Sequence, residues 1–279
     1  MEYFGFGIYS DIDGMESNPK GYELQIVSNS KFCIDNDCVT SRWHNIYEDT
    51  RVRYIDNPSY FIFEIENDCQ LIWYKDLYPY KIEYKIYSAT PYRVKYWILH
   101  TFLPLVYELF LDSLVLHASS IEIDGKAVSI VAPSMGGKST LAYYAVDKRG
   151  AGLICDESTV LRFESGVLVT PTHPYIRYFR KRFHLGKKVD NFVQGSIELD
   201  SIIVLQKGEN RISISKLKGI EAFKRLLDAT LIDMGRLEKN RFEKLLRVYE
   251  NIDIYLLKFP DNIDLISDIF DTILHIRKK

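Results

Sequence analysis

The passage from Ala127 to Lys148 constrains the fold more than any other stretch: an apolar run ending at Val131, a loop, then a helical pattern. The loop, Ala132-Pro133-Ser134-Met135-Gly136-Gly137-Lys138-Ser139-Thr140, has the spacing of the strand–loop–helix site that holds phosphate, with Ala132 in place of the first glycine. In such a loop successive backbone N–H groups point inward at phosphate oxygens, and the following helix adds the positive end of its dipole. Glycines at 136 and 137 let the backbone approach without a side chain in the way. Lys138 then reaches the outer phosphates of ATP, and the Ser139 hydroxyl can ligate Mg²⁺. The competing reading is an ordinary glycine-rich loop, but the apolar strand before it and the helix after it are the context the phosphate site requires.

Two neighbours of the loop carry further chemistry. Leu114–Ile123 and Ala127–Val131 read as two strands joined by a tight Asp124-Gly125 hairpin turn, the second strand delivering the loop. A helix over Lys138–Lys148 ends at Gly150-Ala151-Gly152, and Leu153-Ile154-Cys155 makes a short buried strand running into Asp156-Glu157. One helix and one strand after Lys138, the two acids return to the edge where the loop lies. An acidic pair in a loop is usually a solvated surface feature. At the end of a buried strand beside bound phosphates, one acid can take a proton from an attacking hydroxyl while the other helps hold the metal. The residue types alone do not say which does which.

The remainder sets bounds. Residues 1–91 carry short stretches rich in tyrosine, isoleucine and phenylalanine, such as 60–65 and 81–87, which suit strands of a half-buried sheet. A helix is expected over 92–112, bent or divided by Pro104. Residues 201–205 and 211–215 suggest a hairpin about Gly208, followed by helices near 221–230 and 237–250. A strand at 254–259 precedes a last helix capped by Asp261 or Asn262. With 36 Lys and Arg against 38 Asp and Glu, there is no large positive field to attract nucleic acid or an anionic membrane. The longest apolar run, near 96–111, falls short of a membrane span, and residues 1–20 do not read as a secretory signal, so a cytoplasmic location is expected. Of Cys33, Cys38, Cys69 and Cys155 only the first two are close in sequence, and no second pair completes a zinc site. Reduced thiols are expected.

His117, the hairpin, the Ser134–Ser139 loop and the Cys155-Asp156-Glu157 strand end resemble the HPr kinase/phosphorylase family in order and spacing. The chain is most similar to its shorter members associated with lasso-peptide biosynthesis, which phosphorylate a serine of the precursor peptide. The stretch Pro171-Thr172-His173-Pro174-Tyr175-Ile176-Arg177 resembles the proline-containing segment that follows the acidic pair in that branch.

The resemblance implies an α/β fold. Its core, over 92–279, would be a mixed-sheet P-loop kinase domain of the HPr kinase/PEP-carboxykinase type, with a β-rich N-terminal region over 1–91. It implies ATP and Mg²⁺ as cofactors and a serine-bearing peptide as partner, and it admits a homo-oligomer, since HPr kinases proper assemble into hexamers. His117 would be the active-site histidine, Asp156 the catalytic acid/base and Glu157 the second acid, holding the metal with Ser139. Lys138 joins the catalytic set, and residues Ser134, Met135, Gly136, Gly137, Lys138, Ser139 and Thr140 bind the nucleotide. A histidine bonded within a core is the alternative for His117, and a surface salt bridge the alternative to a phosphate or carboxylate clamp for Arg177. Ala118 and Ser158 depart from the family's usual glycine and arginine. No counterpart of the segment associated with phosphorylase activity is found, so the reverse reaction and HPr as acceptor are not expected. A small-molecule hydroxyl kinase and a non-catalytic nucleotide- or leader-binding adaptor are the rival readings.

Overall fold

The computed structural model describes residues 2–13, 15, 21–31, 43–47, 50–179, 181–230 and 238–277. It is a mixed α/β structure divided into two compact units, Met1–Val106 and Tyr107–Lys279. Cys33 and Cys38 lie outside the described residues. Cys69 and Cys155 are buried free thiols, and among the described residues no helix is long and apolar enough to cross a membrane.

The first unit is built on eight strands: β1 (Glu2–Tyr3), β2 (Phe6–Ser10), β3 (Leu24–Ser28), β4 (His44–Tyr47), β5 (Thr50–Asp56), β6 (Tyr60–Ile65), β7 (Cys69–Tyr74) and β8 (Tyr80–Ile86). They form one sheet in the order β1-β2-β3-β8-β7-β6-β5-β4. The helix expected over 92–112 starts at Pro91, capped by the Thr90 hydroxyl, which accepts from the Arg93 N–H. It runs as α1 (Pro91–Trp97), a π-helical turn (Ile98–Phe102) and α2 (Leu103–Phe110). The widened turn ends two residues before Pro104, the residue that cannot donate to the ladder. Trp97 Nε1 donates to Asp68 Oδ2 at 2.8 Å, and Phe102 stacks on Phe61 at 6.1 Å. These contacts fasten the helical segment to the sheet, so the first unit runs to Val106 and does not stop at the expected boundary after residue 91.

In the second unit the strands are β9 (Leu114–Leu116), β10 (Ala118–Ile123), β11 (Lys126–Val131), β12 (Gly152–Cys155), β13 (Thr159–Phe163), β14 (Val167–Thr170), β15 (Tyr175–Ile176), β16 (Lys187–Lys188), β17 (Ile197–Lys207), β18 (Ser213–Lys216) and β19 (Asp253–Phe259). Four helices accompany them: α3 (Lys138–Arg149), α4 (Gly219–Asp228), α5 (Glu238–Asn251) and α6 (Ile266–Arg277). Nine of these strands form a sheet with the path β12-β10-β11-β17-β14-β13-β9, and β19 and β18 extend it beside β17. Residues of β11 alternate between two cores. Ala127 and Val131 pack toward α4 and α5, while Val128 and Ile130 pack toward α3 and α6.

The Asp124-Gly125 turn has both residues at positive φ, 51° and 77°, and Ile123 pairs with Lys126 across it. Two expected connections differ. The stretch 114–123 is not one strand: β9 pairs with β13 while β10 pairs with β11 and β12, and the change of partner falls at His117. There the backbone N–H leaves the ladder and donates to the Ala229 carbonyl at 2.6 Å. Nor do β17 and β18 form a hairpin about Gly208. β19 lies between them, parallel to β17 and antiparallel to β18. The apolar interior of β17 requires neighbours on both sides, whereas the mostly exposed β18 is suited to an edge.

Candidate active site at the strand ends

β12 is antiparallel to β10, and β10 is antiparallel to β11, so β11 and β12 run in the same sense. Their C-terminal ends, and the start of β10, therefore share one edge. The loop after β11, the acids after β12 and His117 before β10 meet there for this reason.

The loop turns through left-handed residues at Met135 (φ 67°) and Gly137 (φ 95°) before α3 begins at Lys138. Within the loop the Gly136 N–H donates to the Pro133 carbonyl at 2.9 Å, closing a tight turn. The first N–H groups of α3 lack carbonyl partners within the helix, so the positive end of the helix lies at the loop. Gly136 is required sterically: a Cβ there would stand 2.4 Å from the Ala132 Cβ. Lys138 is buried and its Nζ donates to the Ala132 carbonyl at 2.9 Å, spanning the loop. Met135 is 72% exposed.

Asp156 is fully buried. Its Oδ1 accepts from Ser139 Oγ at 2.8 Å and from Ser119 Oγ, and its Oδ2 accepts from the Arg177 backbone N–H at 2.7 Å. Burial raises its carboxyl above the ordinary aspartate range and the Glu157 charge adds to this, with the three hydrogen bonds opposing. Glu157 stands at φ 69°, a left-handed conformation that costs a non-glycine residue energy. Its carboxylate pairs with the Arg177 guanidinium at 2.6 Å. Arg177 is thus in an ion pair within the site and not on the open surface.

His117 Nδ1 lies 3.0 Å from the Glu157 carbonyl. A carbonyl can only accept, so Nδ1 carries the proton and Nε2 the lone pair. Burial, and then the Lys138 charge, hold the imidazole below its ordinary range, so it is neutral at pH 7.

The structure thus brings His117, Lys138, Ser139, Asp156, Glu157 and Arg177 together. Ser119 was missed in the sequence. It stands two residues after His117, on the same face of the chain, and period-two alternation could have found it. The next residue, Ser120, bonds both Ser129 and Thr159 at 2.8 Å, and Thr159 also donates to the Ala118 carbonyl.

Magnesium fits the donor set. Ser139, Asp156 and Glu157 offer only oxygens, as a hard cation prefers. Among the described residues no three acidic, histidine or cysteine side chains form a ready metal cage. A cation held largely by nucleotide phosphates needs only one or two protein ligands.

No protein-family model matches the sequence, and no curated protein matches it. Among solved structures it is similar to the HPr(Ser) kinase/phosphatase from Coxiella burnetii, with 19% identity over 58% of this chain and 95% of that one, at a TM-score of 0.37.

Proposed function

We propose that the unit Tyr107–Lys279 binds ATP with Mg²⁺ at the Ala132–Thr140 loop and transfers the γ-phosphoryl group to a hydroxyl. The acceptor we infer is a serine of a peptide, of the ribosomally made, lasso-precursor type. One observation carries the reading: Asp156, from a different strand, is bonded to Ser139, the second residue of the helix that follows the loop. A loop that was merely glycine-rich would not need a buried carboxylate at the head of its helix.

In this reading Lys138 exchanges its bond to the Ala132 carbonyl for phosphate oxygens and offsets their charge as it shifts toward the leaving group. Asp156, held by Ser119 and the Arg177 amide, accepts the proton of the attacking hydroxyl. Its raised pKa brings its basicity nearer that of a working base at neutral pH. Arg177 neutralises Glu157 and so keeps two adjacent carboxylates compatible. Ser139, with Glu157 or with Asp156, the acid that touches it, would hold magnesium, which would supply neutralisation of the phosphate charge.

The test is transfer of label from [γ-³²P]ATP, with Mg²⁺, to serine-bearing precursor peptides and to a panel of hydroxyl metabolites. Phosphoserine in a peptide supports the reading. Label on a metabolite replaces the acceptor, and ATP binding with no labelled product contradicts catalysis.

A further inference from the structure

On the side of the loop away from Asp156 lies a pocket of ≈ 120 Å³, and it shares Gly137, Thr140 and Leu141 with the phosphate loop and its helix. Its other walls come from the ends of β17 and β19 and from the entry to α6. β11, β17 and β19 are adjacent and parallel, so all three open their C-terminal ends at this edge. A crevice outside such ends is where an open α/β sheet binds ligands.

The pocket is apolar inside and polar at one rim. Leu205, Phe259, Ile266 and Ile269 line it, and Ile263 stands at its mouth with 63% of its surface exposed. On the rim Lys207 Nζ pairs with Asp261 at 2.9 Å. The Lys207 stem runs beside the loop: a Cβ on Gly137 would meet its Cε at 3.5 Å. The Asn262 side-chain Oδ1 accepts from the Asp264 N–H and caps the turn into α6, which leaves its side-chain N–H groups as the donors it offers.

Building on the phosphate-loop reading, we propose that this pocket takes the base of the nucleotide whose phosphates lie in the loop. The base lies flat between the apolar walls, with Asp261 and Asn262 beside its polar edge. Lys207 stands between base and phosphates, where its ammonium can serve the α-phosphate. An apolar slot with a few convergent polar groups is the usual form of such a site. The match of donor and acceptor is to a purine edge: the carboxylate accepts from an amino or imino N–H, and the asparagine amide donates to a ring nitrogen or carbonyl.

The experiment compares calorimetric affinities for ATP and for inorganic tripolyphosphate, each with Mg²⁺, in wild type, Ile266→Trp, Ile263→Ala and Lys138→Ala. Ile266→Trp fills the slot; Ile263→Ala only trims an exposed wall and leaves folding undisturbed. The expected result is that wild type prefers ATP, that Ile266→Trp loses about tenfold or more of ATP affinity, and that Ile263→Ala loses about threefold. Tripolyphosphate affinity should stay unchanged in both. Unchanged ATP affinity in both pocket variants, or equal loss of ATP and tripolyphosphate in Ile263→Ala, overturns the base pocket. If Lys138→Ala still abolishes both ligands in that case, the loop reading survives. If wild type binds neither ligand, both readings fall.

Discussion

Ser139 Oγ donates to Asp156 Oδ1 across 2.8 Å, joining the first turn of α3 to the end of β12. The hydroxyl available to a metal and the carboxylate available to an acceptor are therefore neighbours. Removing the hydroxyl should leave the phosphate cradle intact and disturb only the metal. Ser139→Ala is expected to bind ATP without Mg²⁺ as wild type does, and to lose about tenfold of the strengthening that Mg²⁺ brings, as titrations with and without the cation would show. Equal Mg²⁺ dependence in the variant contradicts a role for Ser139 at the metal.

Asp156→Asn removes the proposed proton acceptor while keeping the side chain's shape. Turnover should fall about 10²–10⁴-fold with little change in ATP affinity. In wild type the acid limb of the pH–rate profile should lie above the ordinary aspartate range, because Asp156 must lose its proton to work.

The same shift has a stability sign. A carboxyl whose folded pKa is raised holds its proton more tightly in the folded state. Its stabilising contribution is full below the unfolded value, about 3.9, and is lost as pH rises through the higher folded value. Thermal melts should therefore show Asp156→Asn gaining on wild type as pH rises through that window. A difference that does not vary with pH contradicts the assignment of the buried charge.

Glu157 tests the strained backbone. At φ 69° glycine is at ease and alanine is not, so Glu157→Gly should be about 1 kcal/mol more stable than Glu157→Ala, although both lose the bond to Arg177. Chemical denaturation of the two variants checks this. Gly136→Ala is expected to be costly for a different reason: its Cβ would sit 2.4 Å from that of Ala132, and the relief of that overlap costs about 1–3 kcal/mol and the shape of the loop.

What the sequence made legible was local. The loop between β11 and α3, the Asp124-Gly125 turn, the Gly150 stop of α3 and the Asn262 cap each depend on chemistry within a few residues, and each stands where the residues put it. Long-range choices were not legible. Nothing in Ser213–Lys216 announces that β19 will come between it and β17, because that partner arrives almost forty residues later. The break at His117 depends on the Ala229 carbonyl, and the full bonding of Asp156 on Ser119 and the Arg177 amide. The convergence of the acids on the loop was foreseeable, since one helix and one strand return the chain to the same sheet edge. The different partners of Asp156 and Glu157, the one bonded to Ser139 and the other to the Arg177 guanidinium, were not.

The account stands on a polyphosphate being held by the Ala132–Thr140 loop with Lys138 beside it. Calorimetric titration of the full chain with MgATP tests this most directly. One site is expected in wild type, weakened about 10²-fold or more by Lys138→Ala. Equal affinity in the two proteins, or no binding to wild type, contradicts it.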